Sequence, residues 1–385
     1  MQLLLMFHSV VATMTVFARS WHALRLIAAG GLLGIAAPMA ALAQPDDSSR
    51  STRRAIADSQ AIASDFLRTE LALSPETATR LNLEDILGPT ATAALDNHSQ
   101  AGFERRRLVR IELLQRLRTR PRLPDEHPLT LDLAIAETAL TDLIELEQFG
   151  YGRFNYRDHR PYAIDPYSGI WIEGPYLLAF RQSITTPEEA SAYLVRLHSL
   201  SEALQDTRRR LLADRAAGIY LPRDLARETQ LRLGQLTSDD PSALGLLVTT
   251  FEALMRDVPD LESAEREMML ELVGNEVDLV LRPAYMDLIT TLSETSDDFA
   301  NQAGIWALPD GTTLFGDVLE AANGVAINRD ELHQRLNSLT EAQKRSLEAL
   351  LTIPPAAEGE EAPIAPTALS DRLAWFNAAM AEPAT

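Results

Sequence analysis

Thr186-Pro187-Glu188-Glu189-Ala190-Ser191-Ala192-Tyr193-Leu194-Val195-Arg196-Leu197-His198-Ser199-Leu200-Ser201-Glu202-Ala203-Leu204 decides the fold class. Thr186 stands at an N-cap, Pro187 at the first helical position and Glu189 three residues beyond the cap, the pattern of a capping box. Behind it Ala190, Tyr193, Leu194, Leu197, Leu200 and Leu204 recur every three or four residues, the buried stripe of one long helix. The same logic extends outward. Ser74-Pro75-Glu76 reads as an N-cap, a first-turn proline and a first-turn acid, and Asn328…Glu331 and Thr340…Gln343 repeat the capping pattern. Further apolar stripes run through residues 131–146, 244–255 and 268–281. Strand-like alternation is scarce. Residues 150–180, rich in Gly, Pro and Tyr, are expected to form a long ordered loop with room for a short hairpin, and no repeat of solenoid length is present. The predicted fold is mostly α, a multi-helix, bundle-like body with one Tyr/Pro/Gly-rich loop region and little strand.

The first residues bear on compartment. Residues 1–25 carry Arg19 and Arg25 and no acid; an apolar, small-residue run follows over 26–40; Ala41-Leu42-Ala43 then precedes Gln44-Pro45. A positive start, an apolar middle and an A-x-A exit form the pattern of a secretory signal peptide cleaved near Ala43. The apolar run, interrupted by Gly30-Gly31 and Pro38, is short for a membrane span. The expected organisation is a signal peptide over 1–43, a helical domain over 44–350, and a Pro/Glu-rich linker with a short amphipathic helix over 351–385. The expected destination is the periplasm, with no membrane association beyond the cleaved leader.

Removing the leader takes the formal net charge from −20 to −22, because two Arg leave and no acid does. So anionic a body disfavours nucleic acid as a partner. With no Cys in the sequence, disulfides and thiolate metal sites are excluded, and any metal would need His, Asp or Glu. The seven His, at 8, 22, 98, 127, 159, 198 and 333, include no pair spaced by four, so the H-E-x-x-H helix that points two imidazoles at one zinc is not encoded. His198, at the edge of the 186–204 stripe, reads as a surface or packing residue. Asp158-His159 could orient an imidazole, but neither a G-x-S-x-G elbow nor a Cys nucleophile accompanies it. There is no Gly-rich phosphate cradle outside the leader and no EF-hand spacing, so no cofactor is expected.

Eight Arg lie between Arg105 and Arg122, interleaved with Leu108, Val109, Ile111, Leu113, Leu114 and Leu117. They read first as an amphipathic helix whose Arg stems cover the core while their heads pair with the surplus carboxylates. A carboxylate-recognising clamp is the sharper alternative, because the guanidinium fork matches a carboxylate bidentately.

Three segments carry a resemblance: Asp165-Pro166-Tyr167-Ser168-Gly169, then Gly218-Ile219-Tyr220-Leu221-Pro222-Arg223 after the capped helix, then Gly304-Ile305-Trp306-Ala307-Leu308-Pro309-Asp310-Gly311. In that order they resemble the N-terminal half of the bacterial domain of unknown function family numbered 885, over about residues 50–335. The resemblance implies a mostly helical fold and kinship to zinc metallopeptidases of the gluzincin type. It also implies a catalytic half after the Leu-Pro-Asp-Gly turn, introduced by a Tyr pair and a His/Thr-rich stretch. This chain has Leu314-Phe315 and Ala321-Ala322-Asn323-Gly324-Val325 there, and its sequence after Arg335 departs from the family pattern. No catalytic or metal residue carries over.

The turn itself is expected to be structural, with Trp306 packed, Pro309 presetting φ and Gly311 admitting φ > 0. The functional expectation is an exported, non-catalytic protein that binds a peptide or protein partner. Its candidate contacts are Trp306, Asp310, Tyr167, Trp375 and Phe376. The alternatives are an accessory half of a metallopeptidase whose zinc half is a separate chain, and a stand-alone enzyme using Asp158, His159 or nearby carboxylates.

Overall fold

A computed structural model of the chain describes residues 47–238, 244–259, 261–295, 300–301 and 304–351; the leader and the segment bearing Trp375 and Phe376 lie outside these residues. The chain divides into two compact units, one ending at Ala326 and the other beginning at Ile327. In the first unit, helices α1 (Asp47–Leu73), α2 (Pro75–Leu81), α3 (Gln100–Arg118) and α4 (Pro128–Glu147) lead to a hairpin of β1 (Arg153–Phe154) and β2 (His159–Arg160). Helices α5 (Ile170–Phe180), α6 (Pro187–Ala216), α7 (Arg223–Thr237), α8 (Gly245–Met255), α9 (Ser263–Glu276), α10 (Arg282–Glu294) and α11 (Gly311–Asn323) follow. In the second unit the described residues form α12 (Arg329–Leu351). The fold is mostly α, as the periodicity predicts, and the two-stranded hairpin is the sheet present among the described residues.

Helix α6 forms as its sequence demands. The Thr186 hydroxyl accepts from the Glu189 amide at 3.2 Å, and Ala190, Tyr193, Leu197, Leu200 and Leu204 are fully buried. The returning arm of the capping box differs by one residue: Glu189 takes the amide and hydroxyl of Thr185, at 2.6 and 2.7 Å. The extra bond donated by the Thr185 hydroxyl favours that register. At 30 residues, α6 spans roughly 45 Å, and its stripe organises the larger core with Trp171, Phe251, Tyr285 and the apolar faces of α7 to α10.

Between α9 and α10 a π-helical turn, Val277–Leu281, solves a spacing problem. Met269, Val273, Val277, Leu281 and Tyr285 are all buried at intervals of four. On a 3.6-residue helix such a series drifts off the core face, and one wide turn brings it back. A second, smaller core holds Phe66 of α1, Leu113, Leu114 and Leu117 of α3, and Leu133 and Leu140 of α4.

The Tyr/Pro/Gly-rich region is ordered, with the expected hairpin, and its last part additionally winds into α5. Pro175 inside that helix hid it from a sequence reading. The carbonyl four residues earlier, on Trp171, instead accepts the Tyr285 hydroxyl at 2.6 Å. Gly174 lets Leu200 approach, because a Cβ there would lie 2.4 Å from the Leu200 Cδ1. Thr340, expected as a cap, lies within α12 and turns its hydroxyl onto the Leu336 carbonyl at 2.9 Å; the Asn328 side chain does cap that helix, accepting from the Asp330 and Glu331 amides. No described helix is long and apolar enough to cross a membrane.

Candidate functional site

The end of α1, α2, the first half of α3, the β1–β2 hairpin, the start of α5 and the C-terminal part of α6 converge on a cavity of about 130 Å³. Its wall carries six arginines, Arg80, Arg106, Arg110, Arg153, Arg157 and Arg210, and four carboxylates, Glu70, Glu76, Asp96 and Glu173. Phe103, Leu71, Leu81 and Phe154 supply apolar surface.

Most of these charges are matched. Arg110 is buried between Glu70 of α1, at 3.1 Å, and Glu147 at the end of α4, so one guanidinium ties three helices together. Arg80 and Arg157 both bind Glu173, and the two guanidiniums outweigh the cost of burial, holding that carboxyl down at about 2. Arg153 binds Asp165 at 3.1 Å and the Ser168 hydroxyl at 2.6 Å. Glu76 accepts from the Asp96 amide and pairs with His98 at 2.7 Å. Burial raises the Glu76 carboxyl, but His98 and Arg80 outweigh it, and the net shift is downward. Asp96, buried and beside Glu76, is pushed up to about 6.

Arg106 and Arg210 are the exceptions. Among the described residues neither has a carboxylate within 4.0 Å. Arg106 donates to the Asn97 carbonyl at 2.6 Å; Arg210 donates to the Gly152 carbonyl at 2.6 Å and lies 5.4 Å from the Phe103 ring centre. Burial lowers both guanidiniums against the pull of Asp96 on Arg106 and of Asp214 on Arg210, and for Arg210 the positive charge of Arg106 lowers it further. The Arg210 Nε is buried without a protein partner. The expectation that the 105–122 arginines pair with carboxylates thus holds for Arg110, Arg116, Arg118 and Arg120, but not for Arg105, Arg106, Arg107 and Arg122, which have no carboxylate within 4.0 Å among the described residues.

A second, more open cleft of about 640 Å³ lies beside the Pro309-Asp310-Gly311 turn, lined by Tyr151, Asp214, Asp310, Thr313, Gln100 and Gln148 among others. The Tyr151 hydroxyl donates to the Pro309 carbonyl at 2.6 Å. Burial and the Asp310 charge raise its phenol to about 12, so the hydroxyl keeps its proton. Burial pushes the Asp214 carboxyl up to about 6 against the pull of Arg210.

The turn differs from its expected form in two ways. The left-handed residue is Asp310, with φ 52°. Gly311 is required for another reason: a Cβ there would stand 1.8 Å from the Ile305 carbonyl oxygen. Nor is Trp306 packed into the core. It is 70% exposed, with its indole folded over Gly304.

Of the other candidate contacts, Tyr167 is half-exposed, with the Arg232 guanidinium 4.8 Å from its ring centre. Asp165 accepts from the Tyr167 and Ser168 amides, so the 165–169 segment is an ordered turn entering α5. Trp375 and Phe376 lie outside the described residues. Asp158 binds Asn155, Arg157 and Arg160 and makes no hydrogen bond to His159, which burial holds below its usual pKa.

Zinc, implied by the family resemblance, fits poorly here. Glu76, Asp96 and His98 are the nearest donor set, but the Glu76 Oε1 already takes His98 and the Asp96 amide, and six guanidiniums surround them. No group of three or more His, Asp or Glu among the described residues is arranged to hold a metal.

Arg210 and Asp214 lie one turn apart on α6, so one helix serves both cavity and cleft. The arginine cavity was only partly legible in advance. The Arg-rich run indicated α3, but Arg153, Arg157 and Arg210 come from distant positions without a shared motif.

The family described as bacterial protein of unknown function (DUF885) matches residues 75–375, reaching 40 residues beyond Arg335, where the sequence resemblance was expected to end. No curated protein matches the chain. Among solved structures, "the putative lipoprotein from Colwellia psychrerythraea" is similar with a TM-score of 0.67 at 18% identity, over 76% of this chain and 51% of that one. The chain therefore spans about half the length of that structure, and the likeness is one of fold.

Proposed function

From the premise that the chain belongs to the DUF885 family of bacterial proteins, we propose that it is an exported, non-catalytic member that binds a peptide or protein partner at the cleft beside the 304–311 turn. One observation carries this reading: Trp306, 70% exposed, is held by Gly304 at a turn whose Asp310 lines an open cleft. Trp is among the residue types enriched at the energetic centres of protein interfaces, which suits an exposed indole beside a cleft to the role of anchor. The Ala41-Leu42-Ala43 exit supports export, and the lipoprotein description of the Colwellia chain accords with it. The crowding of guanidiniums around the carboxylates supports a binding role over metal-assisted hydrolysis in this part of the fold.

Cross-linking and affinity capture from a native periplasmic extract, with wild type and Trp306→Ala compared, tests the proposal. A specific partner retained by wild type and lost by the variant is expected. Stoichiometric zinc together with peptide hydrolysis by the purified chain overturns it. A second reading, favoured by the lack of an H-E-x-x-H pair among the seven His, makes the chain the accessory half of a metallopeptidase whose zinc half is a separate chain. Recovery of a zinc protein as the captured partner selects it.

A further inference from the structure

Arg196 and Arg210 sit four turns of α6 apart, and both are buried without a carboxylate partner, yet they differ in one respect. Arg196 spends its whole fork on the protein: Nε on the Ala94 carbonyl at 3.0 Å, Nη1 on the Gln182 side chain at 3.2 Å, Nη2 on the Ala91 carbonyl at 2.6 Å. It is a structural guanidinium. Arg210 gives one bond to the Gly152 carbonyl, leaves its Nε unpartnered, and shares the cavity wall with a second cation, Arg106, that also lacks a carboxylate. Asp96 acts on Arg106 and Asp214 on Arg210 only from beyond ion-pair distance, so neither fork is filled; holding a lone carbonyl does not require a full charge, and two such cations on one wall favour an anion that bridges them.

We propose that this cavity binds a small organic carboxylate, its two oxygens held between Arg106 and Arg210 and its short carbon skeleton against Phe103, Leu71 and Leu81. The chemistry favours a carboxylate over a phosphate. Glu70, Glu76, Asp96 and Glu173 share the wall, and a dianion would meet more repulsion from them than a monoanion does. A volume of about 130 Å³ admits a two- to four-carbon acid or the last residue of a peptide and nothing much larger. The site is separate from the cleft beside the 304–311 turn, so the inference stands whether or not that cleft receives a partner.

Isothermal titration of the full mature chain with acetate, propionate, butyrate and inorganic phosphate tests it. Tri-alanine with a free and with an amidated C-terminus completes the series. Saturable binding of at least one monocarboxylate, tighter than phosphate, is expected. Free tri-alanine binding while the amide does not identifies a peptide terminus as the source of the carboxylate; binding of the short acids alone identifies a free metabolite-sized acid.

Arg106→Gln, at the less buried of the two cations, is expected to weaken binding by about tenfold or more with the circular dichroism spectrum unchanged. Arg210→Lys keeps the charge without the fork and is expected to weaken it as well. The proposal is overturned if wild type shows no saturable carboxylate binding up to about 10 mM. It is equally overturned if phosphate binds tighter than every carboxylate, or if folded Arg106→Gln binds as wild type does.

Discussion

The Tyr285 hydroxyl donates to the Trp171 carbonyl at 2.6 Å, at the position where Pro175 removes the helical donor. Two choices distant in sequence complete each other: a proline within α5 frees an acceptor, and a fully buried tyrosine on α10 takes it. Burial raises the Tyr285 phenol far above its ordinary value, so it remains a donor at every working pH. Tyr285→Phe leaves that carbonyl unsatisfied and should cost about 1–3 kcal/mol. Ala at 175 restores the α5 donor, so in the double variant Tyr285→Phe with Pro175→Ala the loss should shrink. Urea unfolding of the four proteins of that cycle measures the coupling, and simple additivity would refute it.

Asp214 makes stability depend on pH with a defined sign. Burial pushes its folded carboxyl up to about 6, against 3.8 in the unfolded chain. The folded state therefore binds more protons than the unfolded state between those values, and stability falls as pH rises through them. Asp214→Asn should unfold at a higher temperature than wild type at pH 7.5, by the equivalent of about 1–3 kcal/mol, and the gap should close at pH 3.5. An equal gap at both pH values would show that the carboxyl is not the cause.

Glu173 acts in the opposite direction. Its folded carboxyl is held at about 2 by Arg157 and Arg80, below the unfolded value of 4.5. Its contribution is complete above pH 4.5 and disappears as pH falls toward 2. Glu173→Gln should flatten the acid limb of a stability–pH curve while lowering stability at neutral pH. An unchanged limb would assign acid sensitivity elsewhere.

The buried triad Glu70–Arg110–Glu147 joins α1, α3 and α4. Arg110→Met leaves two carboxylates facing each other without a cation and should cost about 3–5 kcal/mol. The triple variant with Gln at 70 and Met at 147 removes the stranded charges and should recover most of it. Thermal unfolding compares the two.

The 308–311 turn separates two glycine effects. Gly311→Ala would place a methyl 1.8 Å from the Ile305 carbonyl oxygen, which requires the turn to open and should cost about 2 kcal/mol or more. Asp310→Gly relieves the left-handed backbone at φ 52° and should be neutral or stabilising by up to about 1 kcal/mol. Reversed signs in denaturant melts would contradict the geometry.

The α6 stripe and the caps at Thr186 and Asn328 were legible because their information is local: a period, a capping oxygen, a first-turn proline. The helix α5 was not, because Pro175 argues against it locally and its compensation sits on Tyr285, 110 positions away. Trp306 misled for a related reason. An aromatic within an apolar segment reads as core, but Gly304 and Gly311 bring the backbone so close that the indole is left outside.

Sequence alone determined a mostly helical chain with an anionic body, the absence of cysteine chemistry and the resemblance now matched by the DUF885 family, since composition, periodicity and short motifs each act within a few residues of themselves. Tertiary structure alone decided that Arg106 and Arg210 share a wall without carboxylate partners while Arg110 gains two. Charge pairing in a buried site is a property of which helices meet, and no local pattern records it.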